Sequence, residues 1–344
     1  MAFNPPKATQ IYLIFLTSLI LAACGRSKNP DVSNIDVKVT IERFDHDLDK
    51  MRTGSMEQQA DFMKKKYGDF YRNYMAILPA GSTRDTGYFK ALRSVFKSPD
   101  YMALKHAVDS VYPNMDKQTA DLTKAFKYIK YYYPNIKVPK FYAYFSGFAA
   151  QTSNGDGYFG LGLDMFLGAN SKFYPALVQS IPHYLSRHFT PEYIVPRVVD
   201  GIARADMFPE TDSNKTLLSH MIYNGKILYF MDRVLPDVAD SVKIGYTPQQ
   251  MKWCDDFKSQ IWGYFLGENL LYETDYQKYQ KYLGEAPFTP GLGEKNESAP
   301  KLGVWTGWQI VRQYMDKHPE VTLQQLMADH DAQKILNGSR YRPK

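Results

Sequence analysis

Apolar positions follow a helical period in the stretch 217–236. The face at three- and four-residue steps consists of Leu218, Met221, Ile222, Gly225, Leu228, Tyr229 and Asp232. This spacing predicts a core helix with one mostly apolar face, and Pro236 predicts its end. Glycine costs about 1 kcal/mol relative to alanine inside a helix. Gly225 therefore predicts that another backbone packs closely against this face.

Helical periodicity also dominates most of the remaining chain. Between residue 51 and about residue 136 it predicts several helices separated by prolines and glycines. Further helices are predicted over 191–208, over 249–272, from Gly303 onward and from Thr322 onward. The helix at 191–208 has a typical start, with Thr190 as N-cap and Pro191 in the first position.

Three short stretches carry strand patterns instead. Residues 37–44 alternate in polarity, residues 138–149 are rich in aromatic and β-branched side chains, and residues 158–166 alternate glycine with large residues. The glycine-rich segment 151–157 joins the last two, which predicts a β-hairpin. The expected fold class is α+β and mostly helical.

The N-terminus has the pattern of a bacterial lipoprotein signal peptide. Residues 1–23 carry one charge, Lys7, followed by an apolar run that is too short to span a membrane. The motif Leu-Ala-Ala then precedes Cys24, whose thiol is the predicted lipid attachment site. The alternative is a secreted protein with an incidental cysteine at the cleavage site. The expected organisation is a signal peptide (1–23), a polar tether (24–36) and a globular domain (37–344), with a helical part (37–137) and a part containing the sheet (138–344).

Charge and cysteine content exclude several classes. The formal net charge is +6, but the basic residues are scattered among acidic ones, so no nucleic-acid partner is expected. Cys254 is the other cysteine, and we expect it to be buried and inert. Residues 45–49, Asp-His-Asp-Leu-Asp, resemble a ligand cluster but favour an acidic helix start. His183 and His188 are five residues apart, whereas zinc-binding pairs on a helix are four apart, so no metal or cofactor is expected.

Four motifs carry a resemblance to a known family. They are Tyr-Asn-Gly-Lys-Ile-Leu-Tyr-Phe-Met-Asp-Arg-Val-Leu-Pro (223–236), Gly-Tyr-Thr-Pro-Gln-Gln-Met-Lys-Trp-Cys (245–254), Ile-Trp-Gly-Tyr-Phe (261–265) and Gly-Val-Trp-Thr-Gly-Trp-Gln-Ile-Val (303–311). With the lipoprotein signal, the chain resembles the gliding-motility lipoprotein GldB family of Bacteroidota. The resemblance implies a membrane-anchored accessory factor of gliding motility, linked to type IX secretion. Its expected partners are the lipid bilayer, through acylated Cys24, and envelope proteins of that machinery. The absence of acidic residues just after Cys24 favours a periplasmic orientation, in either membrane.

A second resemblance concerns the fold. A helical N-terminal part, a mixed sheet and the helices 191–208 and 217–235 are similar to zincin proteases. That pattern places Asp200 and Arg204 at the two histidine positions, Gly201 at the catalytic glutamate and Asn224 at the third ligand. None of these groups suits zinc chemistry, which implies a degenerate, metallopeptidase-like fold. Asp200 and Arg204, four residues apart, are expected to form an ion pair across this vestigial site.

Three functions follow from these observations. The leading hypothesis is a non-enzymatic lipoprotein that acts by protein–protein contact in the envelope. The alternative is an envelope metallohydrolase of zincin-like fold, with a metal bound through His183, His188, His220 or Asp206. The third is a carbohydrate-binding module that uses the 27 tyrosines and four tryptophans, although no motif supports it.

Overall fold

The computed structural model describes residues 29–82, 84–211, 215–292 and 297–344. The chain divides into two units, Met1–Asn34 and Ile35–Lys344. Of the first unit, residues 29–34 are described and contain a turn, in which the Ser33 amide donates to Asp31 at 2.9 Å. Cys24 and the signal peptide lie outside the described residues.

The second unit is α+β and mostly helical, as predicted. Its strands are β1 (Ile41–Arg43), β2 (Lys140–Tyr144), β3 (Thr152–Gly155) and β4 (Tyr158–Gly162). Its helices are α1 (Phe44–Thr53), α2 (Met56–Tyr67), α3 (Asp69–Ile77), α4 (Tyr88–Lys97), α5 (Pro99–Val111), α6 (Asp116–Tyr132), α7 (His183–Ser186), α8 (Ile194–Ile202), α9 (Leu217–Val234), α10 (Asp240–Ile244), α11 (Pro248–Asp256), α12 (Lys258–Gly267), α13 (Tyr276–Tyr279), α14 (Leu302–Lys317), α15 (Leu323–Ala328) and α16 (Ala332–Ser339).

The sheet has the order β1-β2-β4-β3, and β3 is its antiparallel member. The predicted hairpin between 138–149 and 158–166 is wrong, because β2 and β4 pair in parallel. The hairpin lies one strand later, between β3 and β4. The sequence pattern missed β3 because this partly exposed edge strand, Thr-Ser-Asn-Gly, has no apolar alternation.

The crossover from β2 to β3 is held by one buried carboxylate. Asp164 Oδ2 accepts hydrogen bonds from the backbone amides of Ser146 (2.9 Å) and Phe148 (2.6 Å). Phe148 has a φ of 68°, a left-handed conformation that is unfavourable for an aromatic residue. The two hydrogen bonds therefore fix a strained bend directly after β2.

The predicted strand at 37–44 is shorter in the structure and ends at Arg43. Phe44 instead begins α1, so the acidic run 45–49 lies in the first turns of a helix, as favoured from the sequence. The Phe44 ring is fully buried and makes edge contacts with Phe70 and Tyr74, both at centroid distances of 4.8 Å. Burial of this aromatic cluster anchors the start of α1 near the sheet, where Phe70 also contacts Tyr142 of β2.

The helices around the apolar core agree with prediction in part. The predicted helix at 217–235 is confirmed as α9, and the Thr216 hydroxyl caps it by accepting from the Ser219 amide at 3.1 Å. The predicted helix at 191–208 is divided into a 3₁₀ turn (Pro191–Tyr193), α8 and a π-helical segment (Ala203–Met207). A single helix over 249–272 is wrong, because the backbone leaves helical geometry at Phe257 between α11 and α12.

Helices α9 and α14 cross at two glycines. A Cβ atom added to Gly225 would lie 2.4 Å from the carbonyl carbon of Gly307, closer than real Cβ contacts allow. The predicted close approach at Gly225 is therefore confirmed. Trp305 and Trp308 of α14 are almost completely buried beside this crossing, as expected for core residues. Cys254 is also buried, and burial raises the pKa of its thiol, which makes the thiolate unfavourable.

Candidate functional site

A polar cavity of about 270 Å³ lies among α8, the π-helical segment, α9, α10 and the loops before α14. Three of the four residues predicted for the vestigial site line it: Asp200, Arg204 and Asn224. Gly201 is not among the lining residues. A Cβ atom added to it would face the ring of Phe159 in β4, at 3.1 Å, so this position of α8 packs against the sheet.

The predicted ion pair of the vestigial site is present. Arg204 Nε donates to Asp200 Oδ1 at 2.9 Å, and the guanidinium lies 5.6 Å from the centre of the Tyr223 ring. Burial disfavours the charged guanidinium, but its attraction to the Asp200 carboxylate outweighs the effect of burial and raises the pKa of Arg204. Arg204 is therefore a fixed positive charge in the wall of the cavity.

Asn224 is oriented by its own helix. Its Nδ2 donates to the carbonyl oxygen of His220, one turn earlier in α9, at 2.8 Å. This leaves the amide oxygen as the acceptor that Asn224 can offer to the cavity. The three predicted residues therefore share a cavity, in which the Arg204 guanidinium donates its hydrogen bond to Asp200.

A second ion pair, which the sequence analysis missed, lines the same cavity. The Lys301 ammonium donates to Glu285 Oε1, and their side chains are 12% and 25% exposed. Burial alone would raise the pKa of Glu285, but the neighbouring Lys301 charge lowers it, so the carboxylate is ionised. Glu285 Oε2 is buried and has no hydrogen-bond partner among the described residues. Both residues lie in the irregular stretch before α14, where periodicity gives no signal.

Two further cations line the cavity, with different surroundings. Lys243 Nζ is held by Asp232 Oδ1 at 2.9 Å and Asp240 Oδ1 at 3.3 Å. Arg197, one turn before Asp200 on α8, makes no side-chain hydrogen bond or ion pair within the described part of the chain. The sequence analysis missed Arg197 because an arginine on a predicted helix is usually a solvated surface residue.

The histidines predicted as alternative metal ligands do not belong to a three-residue ligand group among the described residues. His188 is buried, and its Nε2 lies 2.8 Å from the Gly245 carbonyl oxygen, so this nitrogen must carry the proton. Burial lowers the pKa of His188 to about 4. His220 contacts Glu210 through Nδ1 (2.6 Å) and Tyr279 through Nε2 (2.9 Å). His183 and Asp206 are exposed.

Within the described residues, the group of three possible metal ligands lies elsewhere. It consists of Asp45, His46 and Asp109, whose ligand atoms are all within 4.8 Å of one another. Both carboxylates already have cationic partners: Arg43 donates to both oxygens of Asp45, and Lys105 donates to Asp109 at 2.6 Å. These ion pairs explain why the two carboxylates lie close together without a metal ion.

Many of the tyrosines counted in the sequence are core residues. Tyr142 and Tyr144 of β2, and Tyr67 and Tyr74 of the adjacent helices, are all buried. These rings pack against one another, as in the edge contact between Tyr67 and Tyr142 at 5.0 Å. The tyrosine content therefore gives little support to a carbohydrate-binding surface, which needs exposed rings.

Comparison with known proteins identifies a family. The model of a family described as gliding motility protein GldB matches residues 25–343, almost the whole chain after Cys24. No curated protein and no solved structure matches the chain. In the described residues, no helix has both the length and the apolar character needed to cross a membrane.

Proposed function

Because the chain belongs to the gliding motility protein GldB family, we propose that it is a membrane-anchored accessory factor of gliding motility without catalytic activity of its own. The observation that carries the non-enzymatic part is the pairing of charges in the cavity. Arg204 is bound to Asp200, and Lys301 is bound to Glu285. The pairing lowers the pKa of Glu285 and raises the pKa of Arg204, which makes the first a weaker base and the second a weaker acid.

The proposed attachment to the membrane rests on Cys24. Its thiol follows Leu21-Ala22-Ala23 at the end of an apolar signal sequence. Each acyl chain contributes about 0.8 kcal/mol per buried methylene, so the several chains of a lipoprotein anchor it stably. We propose a periplasmic orientation because no acidic cluster follows the cysteine. In this position the protein would contact envelope proteins of the gliding and type IX secretion machinery.

The degenerate zincin ancestry remains a hypothesis that rests on the cavity alone. It is supported by Asp200, Arg204 and Asn224, which line one cavity as displaced metal ligands would. The fold gives no support, since no solved structure matches the chain. The rival function, an envelope metallohydrolase, requires histidines that are free to bind metal. His188 Nε2 and both nitrogens of His220 are already in hydrogen-bond contacts.

Purification of the lipidated protein from its host tests the absence of catalysis. We expect zinc well below one equivalent by elemental analysis and no cleavage of a peptide library, with or without added zinc. About one equivalent of zinc, together with cleavage that a chelator abolishes, would establish the rival function. Arg204→Ala should then change neither metal content nor cleavage, because arginine does not ligate zinc.

Cross-linking mass spectrometry on intact gliding cells tests the proposed contact with partners. We expect cross-links from the domain to envelope proteins of the motility and secretion machinery. A Cys24→Ser strain is the control, because the detached protein should lose these cross-links while keeping its fold. Equal cross-linking in both strains would contradict a role that depends on membrane attachment, and a strain without the gene that still glides would exclude the motility role.

A further inference from the structure

The charges that line the 270 Å³ cavity do not balance. Its cations are Arg197, Arg204, Lys243 and Lys301, and its carboxylates are Asp200 and Glu285. Arg204 and Lys301 are matched by these two carboxylates. Lys243 is matched from outside the cavity, where it and Arg312 share Asp232 and Asp240. Arg197 forms no ion pair of its own among the described residues, which leaves the cavity with one positive charge in excess.

Arg197 is placed to act together with Lys301. Both side chains line the cavity, and the charge of Arg197 is close enough to act on Lys301 and on Glu285. A guanidinium presents a rigid fork of donors that matches the two oxygens of a carboxylate or phosphate. An ammonium supplies three further donors, of which Glu285 Oε1 takes one. Two cationic donor groups thus share a small enclosed volume.

The backbone around Lys301 adds to the positive potential. Lys301 directly precedes α14, and Val304 in the first turn of α14 also lines the cavity. The N-terminus of a helix carries about half a positive charge. Lys301 has a φ of 41°, a left-handed conformation that is unfavourable for a non-glycine residue and persists only where the surrounding structure enforces it. The fold therefore enforces a strained backbone conformation at the residue whose ammonium group lines the cavity.

From this arrangement we infer that the cavity binds a small molecule bearing an oxyanion, a carboxylate or a phosphate group, between Arg197 and Lys301. The cavity is slightly smaller than those that hold drug-sized ligands, so the ligand has few non-hydrogen atoms. Glu285 Oε2 lacks a donor and Asn224 offers an amide oxygen. These acceptors suit a ligand that also carries a hydroxyl or amino group. This inference is independent of the motility role.

Ligand-dependent thermal unfolding and calorimetry on the full chain test the proposal. The probes are inorganic phosphate and glycolate, a hydroxy acid, each at constant ionic strength with chloride as the reference anion. We expect one of them to bind saturably and to raise the Tm, and the responding probe distinguishes phosphate from carboxylate. Arg197→Met should weaken binding at least about tenfold, or about 1.4 kcal/mol.

A matched variant separates local binding from a change in net charge. Arg93 is exposed on α4 and makes no side-chain hydrogen bond or ion pair in the described structure. Arg93→Met removes the same charge far along the chain from the cavity and should leave binding unchanged. If Arg197→Met does not fold, Arg197→Lys replaces it, and binding should still fall because the fork of donors is lost. Equal binding by the wild type and the Arg197 variant, or no saturable binding below about 10 mM, would overturn the inference.

Discussion

The backbones of Gly225 in α9 and Gly307 in α14 are in direct contact. A Cβ atom on Gly225 would lie 2.4 Å from the Gly307 carbonyl oxygen, and one on Gly307 would lie 1.8 Å from the Met221 carbonyl oxygen. Real Cβ atoms do not approach this closely, so each helix excludes any side chain on the other at this point. The two glycines therefore set the distance between the two helices that carry two of the four family-like motifs.

Gly225→Ala should destabilise the protein despite the better helix propensity of alanine. The added methyl group overlaps backbone, which cannot move as a flexible side chain can. We expect the free energy of unfolding to fall by about 1 to 3 kcal/mol, measured by urea denaturation. Gly263→Ala is the control, because Gly263 lies inside α12 with no atom within 4 Å of an added Cβ. At position 263 alanine should stabilise the protein by up to about 1 kcal/mol. Equal effects at the two positions would refute the close crossing.

A second contact between α9 and α14 is electrostatic and centres on Asp232. Its carboxylate accepts hydrogen bonds from Trp308 Nε1 (2.9 Å), from Arg312 Nε (2.7 Å) and Nη2 (2.8 Å), and from Lys243 Nζ (2.9 Å). The Asp232 side chain is 14% exposed. Asp232→Asn keeps the shape of the side chain but leaves Lys243 and Arg312 with Asp240 as their shared carboxylate. We therefore expect the free energy of unfolding to fall by on the order of 3 kcal/mol.

The matched control for Asp232 is Asp256, which pairs with Lys252 on the surface of α11. These side chains are 50% and 75% exposed, and the ion pair is 2.6 Å long. Asp256→Asn should cost less than about 1 kcal/mol, because water screens the pair. Urea denaturation of both variants provides the measurement. A similar loss in both variants would mean that Asp232 acts only as an ordinary surface charge.

The sequence predicted single elements better than it predicted their pairing. The helix α9 was predicted to within one residue at its C-terminus, because periodicity and the stop at Pro236 both act locally. The close contact at Gly225 was also predicted, since a glycine on the apolar face of a helix lowers helix stability and leaves room for a neighbouring backbone. Its partner Gly307 was not predicted, because the packing of two faces depends on the whole fold.

The candidate site shows the same difference between features that neighbouring residues determine and features that the whole fold determines. The resemblance to zincin proteases singled out Asp200 and Arg204, and their four-residue spacing on a helix then predicted their ion pair. Lys301 and Glu285 are brought together by an irregular loop, for which the sequence provides no periodic signal. The strand β3 was missed for a related reason, since a polar edge strand has the composition of a turn. The resemblance and local spacing therefore predicted three of the polar residues that line the cavity, and tertiary structure supplied the rest.

His188 should make stability depend on pH. Burial lowers the pKa of this imidazole from 6.5 to about 4, so the folded state binds fewer protons than the unfolded state between these values. The contribution of neutral His188 to the free energy of unfolding is fully present above pH 6.5 and is lost as pH falls towards 4. The free energy of unfolding changes by about 1.4 kcal/mol for each pH unit in this range, so the total loss is about 3 kcal/mol.

The contribution of His188 is measured as the difference between the wild type and His188→Gln in urea denaturation from pH 7 to pH 4. Glutamine does not titrate and retains an N–H donor for the Gly245 carbonyl oxygen. The comparison is needed because buried Asp164 acts in the opposite direction. Burial raises the pKa of this carboxyl to about 6, so protonation of Asp164 makes the folded protein more stable as pH falls. A difference that does not change with pH would show that His188 titrates normally.

Cys24→Ser should abolish lipid attachment, because the proposed lipid would be attached through the thiol sulfur. Cells fed labelled fatty acid should incorporate label into the wild-type protein and none into the variant, which should fractionate as an unprocessed or soluble form. Cys254→Ser is the control, because Cys254 is completely buried in α11 and burial raises its pKa, so that its thiol is neither accessible nor ionised. This variant should keep the full label and remain with the membranes. Label in the Cys24 variant equal to that of the wild type would exclude the lipoprotein assignment, whereas label that is reduced but not abolished in both variants would point to Cys254 as a second acylated residue.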